Sequence, residues 1–263
     1  MSPDALVAIL PRLFTASHLR RLASRRSSDL LPFVRDIIVR ENPSLSHPTI
    51  GNLLNGAFRI LRLRRPVEYV FKSCLLKRLL LGPRRASTTA CYFELPVGTA
   101  RADMVLVNGQ ADVFEVKSRY DSPARLHAQL REYHRCFALV TVVTEEPLVR
   151  AYQSRLPEHV GLSALTRRGS ISPKRDPSPY HERLDHFELF RVLRQAERHS
   201  IAETCLGLSP LQIHPAVRYR RIFKRFESRL SVMEAHKAVV SALGERQATE
   251  ALADRSGYLQ QEC

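Results

Sequence analysis

Asp103, Glu115 and Lys117 are the residues of this chain whose types and spacing could carry out chemistry. Two carboxylates close together in a partly buried place do not both ionise without a cation. Mg²⁺ satisfies this need because it takes oxygen ligands and keeps waters and phosphate oxygens around it. A nearby ammonium group can orient a water or neutralise charge developing on a phosphate. The three residues therefore indicate metal-assisted hydrolysis of phosphodiesters, with Mg²⁺ or Mn²⁺ as the cofactor.

A predicted β-hairpin brings these residues together. Two alternating apolar runs in residues 101–121 meet at an Asn108-Gly109 pair, which is a strong hairpin signal. If Val105 pairs with Val113, Asp103 faces Glu115, and the rest of that face is apolar. A second interpretation stays open: the two acids could form an exposed rim of the sheet, with Lys117 as a cross-strand partner.

The surrounding pattern predicts a mixed α/β fold. An amphipathic helix spans residues 67–82, and a second helix begins at Ser122-Pro123 and runs to about residue 135. The predicted strands are 90–95, 101–107, 111–118, the continuous apolar run 137–144, and a further strand at 160–166. The order is helix, three strands, helix, strand.

Four segments are predicted along the chain. Residues 1–62 form a basic helical annex and residues 63–166 the central α/β core. Residues 167–182 are rich in Pro, Ser and basic side chains, which predicts a long flexible loop. Residues 183–263 form a C-terminal helical region.

The core residues resemble a known group of enzymes. Asp103 followed by Glu115-Val116-Lys117 resembles the D…(D/E)-x-K signature of the PD-(D/E)XK nuclease superfamily. The predicted element order over roughly residues 67–144 is similar to the restriction-endonuclease-like αβββαβ core of that superfamily. The chain departs from the signature at Ala102, where the name-giving proline would stand. The resemblance implies a nuclease-like core. For the whole protein we expect a metal-dependent nuclease, with defence or DNA processing as a possible role.

Two further patterns extend the resemblance. Gln129 and Tyr133 form a Q-x-x-x-Y pair similar to that of helicase-associated recombination nucleases, which implies a catalytic role for both. A longer pattern is similar to a small uncharacterised bacterial family, and its shared residues are Glu94, Gly98, Arg101, Asp103, Glu115, Lys117, Asp121, Arg125, Leu126, Gln129 and Tyr133.

Several roles have more than one interpretation at this point. Glu94 is favoured as a third metal ligand beside Asp103 and Glu115, with Glu68 as the rival. Gln129 could instead be the polar edge of an amphipathic helix, and Tyr133 a core aromatic residue. Similarly, Asp121 could help to start the helix, and Arg125 could contact a phosphate or pair with Asp121.

The charge distribution predicts a polyanionic partner. Residues 1–90 contain 16 Lys and Arg against 5 Asp and Glu, so they carry +11 of the formal net charge of +15. We expect nucleic acid, DNA rather than RNA, with Arg62, Arg64 and Arg65 contacting backbone phosphates. Arg101 and Arg125 complete the predicted nucleic-acid-binding set. A module that binds nucleic acid without cleaving it is the alternative function.

Other classes of protein are poorly supported. Five scattered cysteines without a C-x-x-C motif predict free thiols in a reducing, cytoplasmic setting. The chain shows no H-E-x-x-H, no G-x-S-x-G and no phosphate-binding glycine loop. Its apolar runs are too short to span a bilayer, so no membrane partner is expected.

Overall fold

The computed structural model describes residues 7–24, 29–41, 47–80 and 89–246. Its N-terminal helices are α1 (Ala16–Ala23), α2 (Leu31–Glu41), α3 (Ile50–Arg64) and α4 (Glu68–Leu80). The central elements are β1 (Ala90–Val97), β2 (Ala100–Asn108), β3 (Gln110–Lys117), α5 (Leu126–His134), β4 (Leu139–Glu145), α6 (Val149–Gln153), β5 (Gly161–Leu165) and β6 (Ile171–Arg175). The C-terminal helices are α7 (His186–Arg191), α8 (Gln195–Leu206), α9 (Pro215–Arg229) and α10 (Val232–Glu245).

The strands form one six-stranded mixed sheet whose spatial order is the chain order, β1 to β6. β1, β2 and β3 are antiparallel neighbours, and β3, β4 and β5 are parallel. Helices connect the parallel strands, as such crossovers require. The mixed α/β fold predicted from the sequence is confirmed, with helix, three strands, helix and strand running from α4 to β4.

The central hairpin has the predicted register. Val105 pairs with Val113, and Asn108 pairs with Gln110 across the tip. Gly109 occupies the tip with a φ of +72°, a conformation that glycine adopts without steric cost. The hairpin therefore fixes where Asp103 and Glu115 enter the site.

Helices cover both faces of the sheet. One apolar cluster joins α5 and the C-terminal helices α7–α10 to a sheet face that includes Val105 and Val113. The other joins the N-terminal helices and α4 to the opposite face, which includes Met104 and Phe114. Because β3 and β4 are covered on both sides, their side chains are almost all buried. The site lies where these two helical layers meet the end of the hairpin.

The predicted flexible loop at 167–182 is in part a strand. Residues 171–175 form β6, which pairs antiparallel with β5, so the sheet extends beyond the predicted core boundary at residue 166. The Ser and Pro content obscured this strand. Pro173 is tolerated because β6 is an edge strand, where one side of the backbone needs no hydrogen-bonded partner.

Two sequence expectations concern cysteines and membrane helices. The four cysteines within the described ranges, Cys74, Cys91, Cys136 and Cys205, form no disulfide, and Cys263 lies outside those ranges. No helix in the described part of the chain has the length and hydropathy needed to cross a membrane. Helices α7–α10 lie within the predicted C-terminal helical region 183–263, and residues 247–263 lie outside the described ranges.

Candidate active site

Three carboxylates from three different elements converge beside the hairpin. Glu68 on α4, Glu94 on β1 and Asp103 on β2 each offer one oxygen atom, and these atoms lie within 4.8 Å of one another. Glu68 and Glu94 are the rivals for the role of third acid, and the structure brings both to Asp103. An all-oxygen donor set of this kind suits Mg²⁺ or Mn²⁺. We call Glu68, Glu94 and Asp103 the acidic cluster.

A buried lysine holds the acidic cluster together. Lys72, one turn after Glu68 on α4, forms ion pairs with Glu68 and Glu94, and its Nζ lies 3.8 Å from Asp103 Oδ1. Burial alone would lower the pKa of Lys72, but its hydrogen bonds to the two glutamates outweigh this effect and raise it. The ammonium group therefore stays charged and compensates part of the negative charge of the cluster.

Glu94 has an unusual backbone conformation. It is the one non-glycine residue with positive φ in the described ranges, at +54°. The alternation of side chains along β1 shifts by one residue at this point. Before Glu94 the even-numbered Ala90 packs in the apolar cluster on the α5 side of the sheet, and after it the odd-numbered Leu95 and Val97 pack there. This irregularity leaves Glu94 exposed and within reach of Lys72. Strained non-glycine residues are often found at functional sites.

Asp103 lies at the inner edge of the cluster. Its Oδ2 accepts a hydrogen bond from the backbone N–H of Val116 on β3, at 2.7 Å. Burial raises the pKa of Asp103 to about 7, and the negative charge of Glu115 adds to this effect. Asp103 and Glu115 therefore influence each other electrostatically, as their predicted positions on adjacent strands require.

Glu115 is outside the acidic cluster, which differs from its predicted role as a direct metal ligand. Its Oε1 accepts hydrogen bonds from Lys117 Nζ at 2.7 Å and Gln129 Nε2 at 2.6 Å. Its Oε2 accepts one from the Tyr133 hydroxyl at 2.6 Å. The side chain is only 2% exposed, so these three donors supply the partners that a buried carboxylate needs. Strand pairing predicted where Glu115 lies, but it did not predict that these three side chains would bind its carboxylate oxygens.

The three donors to Glu115 are all residues that the sequence motifs selected. Lys117 is buried beside Glu115, and burial, followed by the charge of Glu115, raises the pKa of Tyr133. The amide oxygen of Gln129 is buried and has no hydrogen-bond partner in the part of the chain that the structure describes. A buried acceptor without a protein partner is usually satisfied by a water molecule or an ion. We call Glu115, Lys117, Gln129 and Tyr133 the Glu115 network.

The segment that follows β3 settles one open alternative. Asp121 accepts hydrogen bonds from the backbone N–H and the hydroxyl of Ser118, at 2.8 and 2.6 Å, so it stabilises the turn before α5. Arg125 is exposed and forms no ion pair with any carboxylate in the described ranges. It therefore remains available to contact a phosphate.

The arginines predicted to bind phosphates face different surroundings. The Arg65 guanidinium lies over the Tyr120 ring, 5.2 Å from its centroid. Arg62 lies against Gly169 in the β5–β6 turn. Arg64 and Arg101 are exposed. Arg62 and Arg65 thus reach two separate segments, although both come from the end of α3.

Lys72 is the site residue that sequence reasoning missed. The signal was present: it lies four residues after Glu68, the spacing of a helical ion pair, and next to the apolar residues Val70 and Phe71. A lysine on the buried face of an amphipathic helix requires an acidic partner. Without the sheet register, the sequence alone could not connect it to Glu94 and Asp103.

Comparison with known proteins assigns the family. The family model of bacteriophage P4 protein cII matches residues 63–259, well over half of the chain. The chain belongs to the bacteriophage P4 protein cII family. The cII match includes the acidic cluster and the Glu115 network, and it leaves out most of the N-terminal helices.

Individual relatives cover less of the chain. Over 62 residues, the chain is 36% identical to protein cII of Enterobacteria phage P4, which is 24% of the chain and 24% of that protein. The match thus spans about a quarter of the length of this cII protein. A solved structure of a protein of unknown function from Silicibacter pomeroyi is 15% identical, with a TM-score of 0.33, covering 60% of this chain and 82% of that one.

Proposed function

We propose that this protein is a metal-dependent nuclease that hydrolyses phosphodiester bonds, with DNA preferred over RNA. The observation that carries the proposal is the acidic cluster, three carboxylate oxygens within 4.8 Å, beside the Glu115 network. The resemblance to the PD-(D/E)XK nucleases rests on Asp103 of the cluster and on Glu115 and Lys117 of the network. The positive charge of the chain favours a nucleic-acid substrate.

Each part of the site has a task in this reaction. Glu68, Glu94 and Asp103 would hold Mg²⁺ or Mn²⁺, which when bound supplies Lewis-acid activation of the phosphodiester and the attacking water. Lys117 lies on β3, the strand next to Asp103, and its ammonium would donate a hydrogen bond to the water or to the phosphate. Glu115 fixes the Lys117 ammonium at 2.7 Å.

Gln129 and Tyr133 would contribute to the reaction through Glu115 and not by contact with the substrate. Their hydrogen bonds hold the Glu115 carboxylate in place from α5. Because both donors are on one helix that packs on the sheet, they keep the carboxylate from rotating towards bulk water. This is a positioning role, and it explains why a Q-x-x-x-Y spacing is useful at this site.

Cleavage assays test the proposal directly. We expect purified protein to cleave plasmid, linear or single-stranded DNA with Mg²⁺ or Mn²⁺, and to leave it intact with EDTA. Asp103→Ala and Lys117→Ala should each remove the activity, whereas Glu203→Gln, at an exposed carboxylate on α8, should not. Cleavage that survives both substitutions would assign the activity to a contaminant or another site.

A second function, nucleic-acid binding without turnover, is favoured by one observation. Lys72 already supplies a positive charge within the acidic cluster, as a protein without a metal would need. Calorimetric titration with Mg²⁺ and Mn²⁺ separates the two functions. If neither ion binds at millimolar concentration while DNA binding persists, the binding function holds.

A further inference from the structure

A basic pocket lies away from the acidic cluster, between α3, α4 and the β5–β6 turn. Its volume is about 430 Å³, within the range of ligand-binding clefts. Four cationic side chains line it, Arg62 from α3, Lys77 and Arg78 from α4, and Arg168 from the turn. None of the described residues that line it is acidic. The pocket is therefore built for an anion.

Two polar atoms of residues that line this pocket are buried and have no hydrogen-bond partner among the described residues. They are Arg62 Nε and Ser73 Oγ, each of which can donate a hydrogen bond. Buried polar atoms nearly always have a partner, so this pair indicates that an acceptor group belongs here. A planar guanidinium beside a hydroxyl suits the oxygens of a phosphate group.

The fold holds two of the arginines in position through the β5–β6 turn. Gly169 has a φ of +80°, and a Cβ atom at this position would lie 2.6 Å from Arg62 Nη1. The turn can approach Arg62 this closely because residue 169 has no side chain. Arg78 also donates a hydrogen bond to the backbone carbonyl of Ile171 at the start of β6. The backbone of the turn and of β6 thus positions both guanidinium groups.

We propose that this pocket binds a backbone phosphate of a nucleic-acid strand. Lys77 follows Glu68 on α4 by about two and a half turns, so the pocket and the acidic cluster lie on different sides of that helix. The pocket would therefore hold the strand at a second place, apart from the acidic cluster. Only the choice of a nucleic-acid strand rests on the proposed function, because binding at the pocket needs no catalysis.

Binding measurements without cleavage test the pocket. A labelled DNA duplex is titrated in EDTA at several salt concentrations against the wild type and an Arg168→Ala, Lys77→Ala double variant. We expect about tenfold weaker binding and a salt slope that is shallower by about 0.9 for each phosphate that the variant no longer neutralises. Arg229→Ala, at the exposed end of α9, is the matched control for removal of a surface charge.

A second variant changes the pocket and keeps its charge. Gly169→Ala introduces a Cβ that displaces Arg62, so binding should weaken although no cation is removed. Gly207→Ala is the control, because Gly207 also has a positive φ, +61°, but no atom within 4 Å of its added Cβ. Equal affinities for Gly169→Ala and Gly207→Ala, together with an unchanged double variant, would overturn the proposal.

A measurement with inorganic phosphate distinguishes the two ligands that could occupy the pocket, a free phosphate ion and a backbone phosphate. If millimolar phosphate protects the wild type against thermal unfolding more than the double variant, while duplex affinity is equal in both, the pocket binds free phosphate and the proposal is wrong. If the duplex is bound through the pocket but never cleaved in Mg²⁺, the proposed nuclease function fails and the pocket stands.

Discussion

The Nζ of Lys72 lies 3.8 Å from Oδ1 of Asp103, and the lysine side chain is 7% exposed. The two residues come from different sides of the site, α4 and β2. The ammonium also binds Glu68 and Glu94, so it occupies the centre of the carboxylates that would hold a metal. A cation of the protein and a metal ion therefore compete for the same oxygens.

Lys72→Met should make the metal-free protein less stable and its response to metal larger. Removing the ammonium leaves three carboxylates without their shared cation, which we expect to cost about 1–3 kcal/mol. Mg²⁺ then binds without displacing a lysine, so it should raise the Tm of the variant more than that of the wild type. Thermal unfolding with EDTA and with Mg²⁺ measures both effects. Lys237→Met, at an exposed lysine on α10, is the control, and an equal Mg²⁺ response in all three proteins would contradict the competition.

The raised pKa of Asp103 predicts a pH dependence of stability. In the folded protein this pKa is about 7, against an ordinary value of 3.8, so the folded state keeps a proton that the unfolded state loses. The stabilising contribution of the Asp103 proton is therefore complete below pH 3.8. It is lost as the pH rises to about 7, and the loss is on the order of 4 kcal/mol. The test is denaturant unfolding in EDTA at pH 5 and pH 8.

Asp103→Asn is the variant that isolates this effect. The pKa of His134 is lowered to about 4 by burial and by His159, and it acts in the opposite direction over the same pH range. The difference between wild type and Asp103→Asn cancels that contribution. Stability should decline more steeply with pH in the wild type than in Asp103→Asn, while Asp176→Asn, at an exposed position, should follow the wild type. Parallel pH profiles for all three proteins would show that Asp103 is not the group responsible.

Glu94→Gly should be more stable than Glu94→Ala. The φ of +54° costs an L-residue about 1 kcal/mol, and glycine avoids this cost. At ordinary strand positions the order is reversed, because glycine is less stable than alanine by about 0.5–1 kcal/mol. Arg101, exposed on β2 with an ordinary φ, provides the matched Gly and Ala pair. If alanine is the more stable residue at both positions, the backbone at Glu94 is unstrained.

Tyr133→Phe should destabilise the protein more than Tyr92→Phe. The Tyr133 hydroxyl donates to the buried Glu115 carboxylate, and its removal leaves part of that charge unsatisfied, at a cost of about 1–3 kcal/mol. Tyr92 loses the same atom, but its hydroxyl donates to the neutral backbone carbonyl of Leu243. Urea unfolding at pH 8 compares the two variants. A smaller destabilisation for Tyr133→Phe would show that Glu115 does not depend on this donor.

Much of the sheet was predictable because local patterns determine it. The Asn108-Gly109 pair and the alternating residues around it predict the hairpin register, and Ser122-Pro123 predicts where the α5 segment begins. These signals depend on residues close in sequence. β6 was not predictable in the same way, because its residues take part in the sheet only through pairing with β5.

The sequence predicted which residues belong to the candidate site better than it predicted how their side chains are arranged. Strand pairing correctly places Asp103 and Glu115 near each other, but side-chain partners from α4 and α5 decide which oxygens remain available. Lys72 takes part in the acidic cluster, and Tyr133 and Gln129 occupy Glu115. Which oxygens these partners contact depends on how the helices pack against the sheet, and no short sequence pattern specifies that packing.

The agreement between chain order and strand order in the sheet has a consequence for folding. Each strand can pair with a segment made just before it, so the sheet can grow one strand at a time as the chain leaves the ribosome. The residues of the acidic cluster and the Glu115 network all lie between positions 68 and 133, ahead of β4. The strand order therefore permits the carboxylates to come together before α7–α10 are made to cover the sheet, and Lys72, which precedes Glu94 and Asp103 in the chain, can offset their repulsion at that stage.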